Sequence, residues 1–180
     1  MSNYRRAKDG NTYFFTVVTF NRQPILCMEP SRECLRNVII DVRTDTPFVI
    51  EAWVLLPDHM HCIWRLPEGD TDYSLRWARI KAKFTKRSRA WLDEEVSTPS
   101  RLKHRDGTVW QRRYWEHMIR GDEDYKNHCD YIHYNPVKHG LVSAPKEWPY
   151  STFHRFVREN LYPHDWGAIP REISLKTTGE

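Results

Sequence analysis

The sequence predicts an α+β protein whose elements run β-α-β-β-α-β, followed by one more helix. Two observations carry this. Runs rich in β-branched and aromatic residues alternate with segments whose apolar residues recur every three to four positions. Proline and glycine clusters fall between them. The order is that of a ferredoxin-like arrangement with an antiparallel sheet and an extra C-terminal helix. A chain of 180 residues suits one domain, since a domain typically takes ~100–200 residues. Residues 1–150 are expected to form it, with a C-terminal helix and polar tail over 151–180.

Each element has its own signal. Gly10-Asn11 precedes Thr12 to Phe20, a β-branched and aromatic run that reads as a strand. Pro30-Ser31 opens a helix that places Cys34, Leu35, Val38, Ile39 and Val42 on one face and ends near Thr44. Pro47 starts a second strand, Phe48 to Leu56, and Pro57-Asp58 breaks it. His59 to Leu66 reads as a third strand, closed by Pro67 to Asp70. A second helix is expected from Asp72 or Ser74 to about Leu92, with Trp77, Phe84 and Trp91 as its core stripe. Thr98 to Gly107 reads as a basic loop, and Tyr114 to Ile119 as the fourth strand. Asp122-Glu123-Asp124 puts acids where a helix N-terminus favours them. That helix should bend or stop at Asn135-Pro136, because the residue before proline resists α geometry. Gly140 is its expected C-cap. Thr152 to Leu161 can form the last helix, with Phe153, Phe156 and Val157 inward.

Composition excludes several classes. Aromatics make up 13% of the chain, too many for a disordered polymer. No apolar run approaches the ~20 residues of a membrane span. The charged start, Met1 to Gly10, is not a secretory signal. The four cysteines, Cys27, Cys34, Cys62 and Cys129, form no CxxC pair, so a reduced, cytoplasmic protein is expected.

Four features carry chemistry. His59 and His61 lie at i and i+2 on a strand, so their imidazoles share a face and can approach one cation. Such a pair is weak evidence alone, and a metal needs further ligands. Tyr131 and Asn135, at i and i+4, share a helical face. A tyrosine hydroxyl can attack phosphorus, and an Asn carbonyl suits a hard cation. Packing is the ordinary role for both, and Tyr125 and Tyr134 are rival nucleophiles. Between Arg76 and Arg105 ten Lys/Arg face three acids, a window of 10 − 3 = +7 in a chain of net charge +4. Within it Arg79, Lys83, Lys86 and Arg87 suit a nucleic-acid backbone. Finally, in Trp110 to His117, Arg112 and Arg113 can grip phosphate, with Glu116 or His117 near a metal.

Together these segments resemble a family. Leu55 to Gly69, containing His59-Met60-His61, is similar to the HUH segment of the REP-associated tyrosine transposases, relatives of the single-tyrosine insertion-sequence transposases. Tyr13 to Arg22, Trp110 to Arg120, Asp130 to Val142 and Trp148 to Thr152 match the same family in order. The resemblance covers roughly residues 4 to 166. It implies the HUH endonuclease fold and a bacterial protein acting on DNA of the nucleoid. The implied substrates are REP elements, short palindromes that fold as single-strand hairpins with a tetranucleotide at the foot. His59 and His61 fall on the metal ligands, Tyr131 on the nucleophile, and Asn135 on a third ligand where many insertion-sequence relatives carry Gln.

The resemblance implies a Mg²⁺- or Mn²⁺-dependent endonuclease and strand-transferase that cuts single-stranded DNA through a 5′-phosphotyrosine and works as a monomer. Two other readings stay open: a single-strand nucleic-acid-binding module without chemistry, and a metal phosphoesterase without a covalent step.

Overall fold

The computed structural model describes residues 10–92 and 109–169. The expected basic loop, with Arg101, Lys103 and Arg105, lies outside the described residues. So does the chain after residue 169.

Four strands, β1 (Thr12–Val18), β2 (Val49–Leu55), β3 (His59–Arg65) and β4 (Trp115–Met118), form one sheet in the order β2-β3-β1-β4. All three pairings are antiparallel. Helices α1 (Glu29–Asp45) and α2 (Tyr73–Ser88) cover one face. Helices α3 (Gly121–Lys138) and α4 (Phe153–Arg158) cover the other. The expected ferredoxin-like order and the extra helix are both present.

Alternation along the strands sorts the side chains between two cores. Tyr13, Phe15 and Val17 of β1 and Met60, Cys62 and Trp64 of β3 pack beneath α1 and α2. There Trp64 stacks on Trp77, ring centroids 4.1 Å apart, with Phe48 against its other side at 4.1 Å. Burying each such ring contributes at least ~2 kcal/mol. Trp77 and Phe84 are buried as the helical spacing predicts, and Trp91 packs partly buried beside them. Phe14 and Ile63 point the opposite way, to Tyr125, Cys129, Tyr131 and Ile132 of α3. All four cysteines are free thiols.

Helix α3 does not stop at Asn135-Pro136. It runs through Pro136 to Lys138. Proline deprives only the Ile132 carbonyl of its helical donor, and Asn135 and Pro136 are both buried, which offsets the strain. Termination comes at Gly140, as expected. Its φ of 67° is left-handed, its N–H donates to Val137 O, and Leu141 N–H donates to Pro136 O. These are the two bonds of a Schellman cap.

The β2 edge is not open. Leu55 N–H donates to Tyr150 O and Thr152 N–H to Trp53 O, so residues 150–152 pair with it. Phe153, Phe156, Tyr162 and Trp166 then return to the α3 core, with Tyr162 stacked on Trp166 at 4.4 Å.

Candidate active site

The register of β1 against β3 builds the site. Thr16 lies opposite His61, and Val18 opposite His59. Both imidazoles are buried, and their ring centroids stand 5.0 Å apart. Each is oriented through Nδ1. The Thr16 hydroxyl lies 2.9 Å from Nδ1 of His61, and the Asp58 carboxylate lies 2.6 Å from Nδ1 of His59. Nε2 is therefore the nitrogen each ring would offer a cation, the usual pattern for metal-bound histidine.

Asp58 is itself held. Burial pushes its pKa up, but hydrogen bonds and charges from His59 and Arg22 outweigh this and bring it down to about 2. Arg22 Nη1 reaches its other oxygen at 3.1 Å. To do so the chain turns through Asn21 and Arg22 with φ of 52° and 51°, both left-handed. Strain of this kind costs roughly 1 kcal/mol or more per residue and is common beside functional sites.

Helix α3 brings Tyr131 over these histidines. Its ring stands edge-on to His61 at 5.2 Å and to Phe14 at 6.1 Å. Asn135 lies one turn on, fully buried. The rival phenols point elsewhere: Tyr134 packs on Trp166 at 6.4 Å, and burial drives the Tyr125 pKa far upward. Two residues the spacing did not single out join the site from the end of α3. Lys138 Nζ donates to the Tyr131 hydroxyl at 3.2 Å, and the His139 ring stands 5.0 Å from His59.

The charge stripe is divided. α2 covers the face of the sheet opposite Tyr131. Arg76 is no surface charge. It is buried in an ion pair with Asp70 at 2.6 Å and donates to three carbonyls, those of Thr46, Pro47 and Asp72. Arg87 pairs with Asp41. Lys81 donates to Gln111 O at 2.9 Å, and desolvation lowers its pKa to about 8. Arg79 and Lys83 are half-buried and Lys86 is exposed on the same helix. Arg112 and Arg113 are exposed just after Gln111, whose N–H donates to Val18 O at the end of β1 that pairs with His59. Glu116 lies opposite Phe15, on the α2 side.

His117 joins a different group. Its Nε2 lies 2.8 Å from Asp124, whose other oxygen lies 3.0 Å from Nδ1 of His128. Among the described residues these three are the His, Cys, Asp and Glu side chains clustered closely enough to hold a metal ion. As they stand they form a hydrogen-bonded clamp. His128 Nδ1 lies 2.8 Å from the Asp124 carbonyl, which only an N–H can satisfy, and Arg120 N–H also donates to the carboxylate. A cation there would displace these bonds. A cavity of about 620 Å³ lies between α1 and β2, lined by Arg32, Arg36, Arg43 and Trp53, and contains none of the expected site residues.

Two neighbouring histidines and a tyrosine thus meet on one face of an antiparallel sheet, with Asn135 buried one helical turn beyond the tyrosine. Residues 8–135 match the family described as "Transposase IS200 like". The chain is 49% identical over 177 residues to the REP-associated tyrosine transposase of Escherichia coli K12, covering 97% of this chain and 96% of that one. It belongs to the REP-associated tyrosine transposases. A solved structure of such a transposase bound to a REP hairpin matches with a TM-score of 0.71 and 44% identity, over 98% of this chain and 99% of the other. The transposase family is an enzyme class that cleaves DNA with a tyrosine. Both this membership and the His117–Asp124–His128 group are consistent with a divalent metal. No helix among the described residues of this transposase is long and apolar enough to cross a membrane.

Proposed function

We propose that this transposase binds REP hairpins and cleaves and rejoins single-stranded DNA, with Tyr131 as nucleophile and His59, His61 and Asn135 as ligands of Mg²⁺ or Mn²⁺. The observation that carries the reading is the approach of the Tyr131 ring to His61, 5.2 Å between centroids, with both imidazoles tethered at Nδ1. The amide oxygen suits either cation, and the two imidazole nitrogens make the set softer than the oxygen shell Mg²⁺ prefers, which favours Mn²⁺ of the two. The bound cation would neutralise charge on the scissile phosphate.

The chain's own residues do the rest. Thr16 and Asp58 hold the imidazoles still. The Tyr131 oxygen bonds to phosphorus as its proton leaves, and the bond from phosphorus to the 3′ oxygen breaks. That oxygen takes a proton and departs as a 3′-OH, leaving a 5′-phosphotyrosine. The new ester is a phosphodiester like the old one, so attack by a 3′-OH reverses the step without ATP. Arg112 and Arg113 take the DNA backbone beside His59, a reading supported by their exposure just after Gln111. Arg79, Lys83, Lys86 and Arg87 offer a second backbone track across the sheet. The protein acts on DNA in the bacterial cytoplasm, and it acts as a monomer, the second point supported by the β2 edge already being paired by residues 150–152 and so closed to a second copy.

Incubation with a labelled REP hairpin and its foot tetranucleotide tests this. The expected product is a denaturation-resistant protein–DNA adduct with a free 3′-OH fragment, absent in EDTA. Cleavage without an adduct favours the phosphoesterase, and an adduct undiminished by EDTA overturns the metal assignment.

A further inference from the structure

We infer that Lys138 is a further catalytic residue, its ammonium group stabilising charge on the Tyr131 oxygen as the phosphotyrosine bond forms and breaks. The inference rests on Tyr131 being the nucleophile.

The geometry is specific. Lys138 lies seven residues after Tyr131, in the last turn of α3. Residues at this separation share a helical face, and helical side chains lean back toward the N-terminus. The lysine therefore reaches back over the ring, with Nζ 4.9 Å from its centroid and 3.2 Å from its hydroxyl oxygen. The tyrosine is 1% exposed, whereas Lys138 is an exposed residue. A buried phenol oxygen thus has a cation at its tip.

An ammonium has only protons to give. Its bond to the phenol oxygen must be a donation, so Lys138 cannot be the base that removes the phenol proton. It does favour negative charge on that oxygen. In the forward direction the phenol proton leaves for solvent while the oxygen bonds to phosphorus, and the 3′ oxygen departs, taking a proton to become a 3′-OH. In the reverse direction a 3′-OH oxygen bonds to phosphorus and gives its proton to solvent, while the bond from phosphorus to tyrosine breaks with its electron pair going to the tyrosine oxygen, where Lys138 stabilises the departing phenolate. A phosphorus atom within attack distance of this oxygen also places its own oxygens close to the ammonium. A positive donor held at an atom whose charge changes during reaction lowers the barrier in both directions. The cap at Gly140 fixes the end of the helix on which Lys138 stands.

The test compares wild type, Lys138→Met, Lys138→Arg and Tyr131→Phe on one labelled REP hairpin, with single-turnover adduct formation, its reversal by an added 3′-OH strand, and hairpin affinity all measured. Lys138→Met is expected to slow formation and reversal together by ~100-fold, with an unchanged melting temperature and a loss of hairpin affinity much smaller than the loss of rate. Lys138→Arg should recover most of the rate. Lys138→Met at the wild-type rate overturns the inference, as does a defect fully explained by lost affinity. If Tyr131→Phe still forms the adduct, the nucleophile assignment fails and this inference falls with it. If Tyr131→Phe is dead while Lys138→Met is normal, only the lysine's role is refuted.

Discussion

Thr16 and His61 face each other across the central strands β1 and β3, and the threonine hydroxyl sits 2.9 Å from the imidazole Nδ1. The contact is buried on both sides. It sets which way the ring turns and therefore which nitrogen meets a cation. Asp58 does the same for His59 from the bend just before β3.

Replacing either tether should weaken metal use before it weakens folding. Thr16→Val keeps the shape and removes the hydroxyl, and Asp58→Asn removes the charge. Each should raise the Mn²⁺ concentration for half-maximal adduct formation by ~10–100-fold. A metal titration of adduct yield checks this, and unchanged midpoints would show that the tethers are incidental.

The C-terminal segment is tied to α3 through a buried histidine. His133 Nε2 lies 2.8 Å from the Thr152 hydroxyl, and its Nδ1 lies 3.3 Å from Tyr162, which donates to Asp130. Burial, with Arg155 and His154, lowers the His133 pKa to about 3. The folded value lies below the unfolded one of ~6.5. Its contribution is therefore complete above pH ~6.5 and is lost as pH falls toward 3, at up to ~1.4 kcal/mol per pH unit. Urea unfolding between pH 7 and 4 should show a shallower slope in His133→Gln than in wild type; parallel slopes would contradict the assignment. In the same network, Thr152→Val should cost ~1–3 kcal/mol at pH 7.

Arg76 shows why the charge stripe misleads. In the sequence it is one of ten basic residues in its window, yet it is 2% exposed and pairs with Asp70. Arg76→Met removes the donor to three carbonyls and the ion-pair partner of Asp70, which keeps only the Asp72 N–H. It should destabilise the fold by ~1–3 kcal/mol, chiefly through the carbonyls it leaves unsatisfied, whereas Lys86→Met, on the exposed side of the same helix, should change stability by no more than ~0.5 kcal/mol. Equal effects in thermal denaturation would contradict this placement.

Local periodicity carried much of the site. The i,i+2 histidines and the i,i+4 pair on α3 were legible because each needs only its own element to share a face. Thr16, Asp58 and Lys138 were not singled out. Thr16 meets His61 only through the register of strands 45 residues apart in the chain. Lys138 depends on α3 continuing past Pro136, which the local rule for proline argues against. The layer that α2 occupies is likewise a property of the whole sheet, since an amphipathic helix states that it has a buried face but not which face of the sheet it meets.

The central claim is that Tyr131 makes the covalent bond to DNA, and the most direct measurement is the yield of denaturation-resistant adduct from Tyr131→Phe on a labelled REP hrairpin substrate, beside Tyr125→Phe and Tyr134→Phe. The account predicts that Tyr131→Phe binds the hairpin like wild type and loses the adduct by at least ~1000-fold, while the other two folded variants retain it. An adduct from Tyr131→Phe at wild-type yield, lost instead in one of the other two, would contradict it.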